Sequence, residues 1–164
     1  MKDVLGVDDL LVWDDGTIPV RVGSAGVYLN LTQAGERAIL HVYSPVLREV
    51  AKTPALLERL NEINASTFTA RAFWAADQVL VAVDLLADAL DPEEVRNAFD
   101  VVSAFADRYD GDLRATFGGQ TAFVDEGEPA NTPASAVELP APPPGTVVAK
   151  ADDGADDGAS QGYL

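Results

Sequence analysis

Across residues 14–84 apolar side chains recur mostly at every second position. A period of two commits this stretch to strands that bury one face. Ile18-Pro19-Val20-Arg21-Val22 alternates and runs into Gly23-Ser24-Ala25-Gly26, a turn signal. Val27-Tyr28-Leu29-Asn30-Leu31-Thr32 alternates again, Ala34-Gly35-Glu36 reverses the chain, and Ala38-Ile39-Leu40-His41-Val42-Tyr43 forms a third strand. Three short strands joined by tight turns predict an antiparallel meander. Two further strands, over 67–74 and 79–85 with Ala76-Asp77-Gln78 between them, add a hairpin.

The period lengthens to three or four in three places. Ser44-Pro45 reads as an N-cap followed by Pro at the first helical position, which predicts a short helix over 44–51. Thr53-Pro54 repeats the device, and Leu56, Leu57, Leu60 and Ile63 then share one face through about residue 64. Asp91, Pro92 and Glu94 form the strongest start signal, a capping box that also suits the helix dipole. Val95, Phe99, Val102, Phe105 or Ala106, and Tyr109 follow at helical spacing. Asp110-Gly111 is expected to interrupt this helix, Leu113 and Phe117 to extend it, and Gly118-Gly119 to end it. The sum is an α+β domain: a five-stranded antiparallel sheet, meander plus hairpin, with helices packed on one face.

Composition changes near Val124. Residues 125–164 hold six of the ten prolines, one aromatic residue, eight acidic residues and a single Lys. Pro140-Ala141-Pro142-Pro143-Pro144 favours extended polyproline structure, and Asp152-Asp153-Gly154-Ala155-Asp156-Asp157-Gly158 repels itself. Such a segment buries too little apolar area to offset its chain entropy, so the expected organisation is a folded domain over 1–124 and a disordered acidic tail over 125–164.

Charge and residue inventory narrow the function. The chain has 27 acidic and 11 basic side chains, a formal charge of −16, one His and no Cys. Counterion release at phosphates needs clustered Lys and Arg, so nucleic acid is an unfavourable partner, as is an anionic membrane surface. No disulfide or thiolate chemistry is available, and no multi-His metal site. No run approaches the roughly 20 apolar residues of a membrane span. Asp8 and Asp9 break the Val4-Leu5-Gly6-Val7 run before it reaches signal-peptide length, which points to a cytoplasmic protein. Asp8, Asp9, Asp14 and Asp15 are candidates for a carboxylate or metal cluster, but Asp14-Asp15-Gly16 reads more simply as a turn. His41 lies mid-strand without the sequence context of a nucleophile, and Gly118-Gly119 follows a helix where a phosphate loop would open one. Neither catalysis nor a cofactor or metal is expected.

The sheet's second face carries more information. With Val20, Val27, Leu29, Leu40, Val42, Val79, Val81 and Val83 turned to the helices, the other face presents Tyr28, Asn30, His41, Tyr43, Arg71, Phe73 and Leu80. An exposed aromatic patch rimmed by polar groups marks a contact with a peptide or protein client; cover by a dimer partner or by the tail is the alternative. The stripe Leu56, Leu57, Leu60, Ile63, or a sheet edge, is the expected homodimer interface, because a small domain gains from pairing.

Asp14-Asp15-Gly16-Thr17-Ile18-Pro19-Val20-Arg21 ahead of the sheet, Tyr43-Ser44-Pro45-Val46-Leu47, Leu60-Asn61-Glu62-Ile63-Asn64 and the closing Phe117-Gly118-Gly119 occur in an order that resembles a bacterial family. These are the YbjN-like proteins and the related type III secretion chaperone-like (TY-Chap) peptide-binding domains. The resemblance covers residues 1–124. It implies a secretion-chaperone-like α+β fold, frequent dimerisation and binding of extended or partly unfolded peptide segments without enzymatic activity. The leading expectation is a non-catalytic peptide-binding chaperone or adaptor holding an extended client on its sheet. The alternative is a dimeric regulatory scaffold that contacts a folded protein.

Overall fold

A computed structural model describes residues 10–22 and 25–121. Six strands and two helices follow in the order β1 (Ile18–Val22), β2 (Ala25–Ala34), β3 (Arg37–Arg48), α1 (Pro54–Ala65), β4 (Arg71–Ala75), β5 (Gln78–Leu86), α2 (Pro92–Phe117) and β6 (Gln120–Thr121), with a short 3-10 turn at Ala87–Ala89 before α2. All strand pairs are antiparallel, in the spatial order β1-β2-β3-β5-β4, and β6 pairs with β3. The meander and the hairpin therefore join along the β3–β5 seam, where Val42 faces Val83 and Leu40 faces Leu85.

Period two decides which side of the sheet is covered. Val20, Val27, Leu29, Leu40, Val42, Val79, Val81 and Val83 all enter one core, closed by Leu56, Leu60 and Ile63 of α1 and by Val95, Phe99, Val102, Phe105 and Leu113 of α2. Burial of apolar area at about 25 cal/mol per Å² is what holds the helices to the sheet. The helix starts are the ones their sequences encode. The Thr53 hydroxyl accepts from Leu56 N–H at 3.1 Å. Asp91 accepts from Glu93 N–H at 2.7 Å while Glu94 accepts from Asp91 N–H, closing the capping box.

Three local expectations are corrected. Residues 44–51 do not form a helix: β3 runs on to Arg48, with Pro45 opposite Leu80. The register shifts between Pro45 and Leu47, so Val46 is an extra residue, and a proline is tolerated inside a sheet at such a bulge because the ladder is already broken there. Strand β4 begins at Arg71 and not at Thr67, because residues 66–70 wrap the end of α1: Ser66 N–H donates to Ile63 O, and the Thr67 hydroxyl donates to Asn64 O and Ala70 O. Helix α2 passes uninterrupted through Asp110-Gly111, since wholly buried Leu113 and half-buried Tyr109 and Phe117 hold both halves against one core. The sixth strand follows the turn that ends α2. Gly118 and Gly119 have φ of +75° and +78°, and a Cβ on Gly119 would stand 2.6 Å from Arg48 O, so only glycine lets β6 reach β3.

The Gly23-Ser24 half of the first turn, residues 1–9 with Asp8 and Asp9, and the acidic tail lie outside the described residues. Among the described residues no helix is long and apolar enough to cross a membrane.

Candidate functional site

Strand pairing builds the outer face as three rows. Pro19, Tyr28, Tyr43, Ala82 and Arg71 lie side by side across five strands; Asn30, His41 and Asp84 form the row on one side, and Pro45, Leu80 and Phe73 the row on the other. The register thus brings Tyr28, Asn30, His41, Tyr43, Arg71, Phe73 and Leu80 to a single face. Their exposure differs from the expectation. Tyr28, Tyr43 and Leu80 are buried, at 6%, 5% and 0% exposed, in a second small cluster with Ala75 and Ala82. Asn30, His41 and Phe73 are half-buried, and Arg71 is exposed.

The chain ahead of β1 supplies part of the cover over the tyrosines. Trp13 N–H donates to Thr17 O and Gly16 N–H to Trp13 O, both at 2.9 Å, and Asp15 Oδ1 accepts from Thr17 N–H at 2.9 Å. Asp14-Asp15-Gly16 is therefore a turn, with Gly16 at φ +82°. It is fastened to the sheet by Asn30 Nδ2, which donates to Thr17 Oγ1 at 2.9 Å. Trp13 leans on the Tyr28 ring at 5.7 Å between centroids, and Tyr28 stacks on Tyr43 at 5.4 Å. Burial pushes the Tyr28 hydroxyl above its usual ionisation range, with Arg48 acting in the opposite sense. Burial, then the neighbouring Tyr28 and Asp15, push Tyr43 up to about 12 against a Thr17 hydrogen bond that lowers it.

Beside this buried pair lies a polar array. Asp84 accepts from His41 Nδ1 at 2.6 Å and from Arg71 Nη2 at 2.5 Å, joining β3, β5 and β4. The Arg71 guanidinium also lies 4.9 Å above the Phe73 ring. Partial burial alone would raise the Asp84 carboxyl; the His41 hydrogen bond and the Arg71 charge outweigh it and hold the group below its usual range. The array fixes a cation and an aromatic ring side by side on the outer face of the sheet.

Two residues of this face, Asp84 and Trp13, are not among those the sequence singles out. Asp84 was within reach, because alternation past Ala82 places Asp84 beside His41. Trp13 was not, because the residues before the first strand carry no period that says which way they fold. Most of the expected dimer stripe lies inside the core. Leu56, Leu60 and Ile63 are core residues, and only Leu57, at 40% exposed, faces outward, because α1 turns its stripe to its own sheet.

Comparison with known proteins places this geometry. The family model described as "T3SS (YopN, CesT) and YbjN peptide-binding chaperone 1" matches residues 1–125. Curated proteins give no match in sequence. Among solved structures, the chain resembles one in the ExsC–ExsE complex, with a TM-score of 0.52 at 17% identity over 67% of this chain and 85% of that one. It also resembles YbjN of E. coli, with a TM-score of 0.50 at 18% identity over 68% and 87% of the two chains. At these identities the structures bear on the fold alone, an α+β antiparallel sheet of the secretion-chaperone type.

Proposed function

The chain belongs to the family of type III secretion and YbjN peptide-binding chaperones, and from that premise we propose that it holds an extended segment of a client protein across the outer face of its sheet, without catalysing a reaction. The observation that carries the reading is the Arg71–Asp84–His41 array with Phe73 beside it. An extended peptide presents side chains alternately to a sheet surface, and a fixed guanidinium over a ring offers both a charge-assisted and an apolar contact to them. Asn30, His41, Arg71 and Phe73 make the direct contacts, and Tyr28, Tyr43 and Leu80 serve as the floor that keeps the surface flat.

The test is fluorescence anisotropy with a panel of labelled unstructured peptides. Arg71→Ala and Phe73→Ala should each weaken binding by about tenfold, the scale of an anchor residue at a protein contact, while circular dichroism and thermal melting stay close to the parent chain. Unchanged affinity in both variants would remove the outer face as the client site. Self-association, the other expectation of the sequence, falls to Leu57 and to Phe68, which stands fully exposed in the loop after α1. Sedimentation that gave a larger species for the parent chain, and a monomer for a Leu57→Ser/Phe68→Ser double variant, would support that assignment.

A further inference from the structure

Among the described residues, strand β4 is the last strand on its side of the sheet, and the backbone groups along such an edge are a template for adding another strand. At Ala72 that template is occupied by a side chain. Asn64, in the last turn of α1, donates from Nδ2 to Ala72 O at 2.9 Å and accepts from Ala72 N–H at Oδ1 at 2.7 Å. Exchange of both bonds with one residue is the pattern of a hydrogen-bonded pair in an antiparallel ladder, so the amide takes the place of one residue of a neighbouring strand. Two residues earlier on the same edge, the Thr67 hydroxyl donates to Ala70 O at 2.9 Å.

We propose that Asn64 is an edge guard, which fills the strand-pairing position on β4 and so keeps a second copy of this chain from pairing there through its own β4. A second copy is the occupant excluded because the edge complements itself. An antiparallel pairing centred on Ala72 is two-fold symmetric and sets Arg71 of each copy opposite Phe73 of the other. Those two side chains already associate within one chain at 4.9 Å, and no like charges meet in the pairing. The guard acts at the edge of the sheet and does not rest on the peptide-binding reading, which concerns its face.

The full-length chain tests this with Asn64→Ala and Asn64→Asp, measured by light scattering across a concentration series and by hydrogen exchange at the Ala72 amide. In Asn64→Ala the Ala72 amide should exchange at least tenfold faster in dilute solution, and a species larger than the parent should grow with concentration. Asn64→Asp keeps the acceptor for Ala72 N–H and sets a carboxylate in the path of an incoming strand, so it should keep the parent's mass. Adding Phe73→Arg to Asn64→Ala sets guanidinium against guanidinium across the pairing and should return the parent's mass. A folded Asn64→Ala chain with parental mass and exchange would overturn the proposal. Loss of cooperative melting in both single variants would do so too, by making Asn64 a packing residue, and persistence of the large species in the double variant would reject the β4 pairing.

Discussion

Tyr43 and Asp84 lie on the same face and bias stability at opposite ends of the pH scale. Tyr43 ionises near 10 when unfolded and at about 12 in the folded chain, so its neutral form is the one that folding favours. That contribution is complete below pH 10 and is lost as pH rises from about 10 to 12. Urea melts taken up through this window should show the loss, and Tyr43→Phe should flatten it while costing about 1 kcal/mol at neutral pH for the Thr17 hydrogen bond. For Asp84 the folded chain favours the ionised form. Its contribution is present above the ordinary value of 3.8 and is lost as pH falls through the lower folded value. Asp84→Asn should remove that acid limb and cost about 0.5–1 kcal/mol at neutral pH, as for a pair open to solvent. Alternation was enough to assign Tyr28, Tyr43 and Leu80 to the second face. It says nothing of what lies over that face, which is why their burial was not legible.

At the scale of elements, α1 separates core from surface within one turn. Leu56 is wholly buried and Leu57 is not, so Leu56→Ala should cost about 2–5 kcal/mol and Leu57→Ala no more than about 0.5 kcal/mol, read from denaturant midpoints. Asp91→Ala removes one partner of the capping box on α2 and should cost about 1 kcal/mol. Both helices were readable because their caps and stripes agree. The stretch after Tyr43 was not: Ser-Pro followed by Val46 and Leu47 satisfies a helix start as well as a strand, and only pairing with Leu80, Val79 and Gln78 of β5 decides for the strand. Gly111 misled in the same way, since a helix tolerates an exposed glycine at about 1 kcal/mol when packed residues on either side hold it.

For the whole molecule, the order β1-β2-β3-β5-β4 was legible as a meander and a hairpin, because both are built from local turns, while the seam between them joins strands that lie far apart in the chain. The core within the described residues is complete by Leu113, and no sheet pairing described extends past Thr121. Removing the acidic segment after Val124 should therefore leave the melting temperature within a degree or two by calorimetry. A fall of many degrees would make that segment part of the fold. The cover of the inner face is the last large element to be made. While the chain is being synthesised, Val27, Leu29 and Val42 emerge with β1–β3, and α2, which seals them, is finished only at Phe117. At roughly 5–20 residues per second this leaves an interval on the order of 4–15 s. For that interval an apolar meander stands open beside the ribosome, so a chain read as a holder of unfolded segments itself passes through a stage in which it needs to be held.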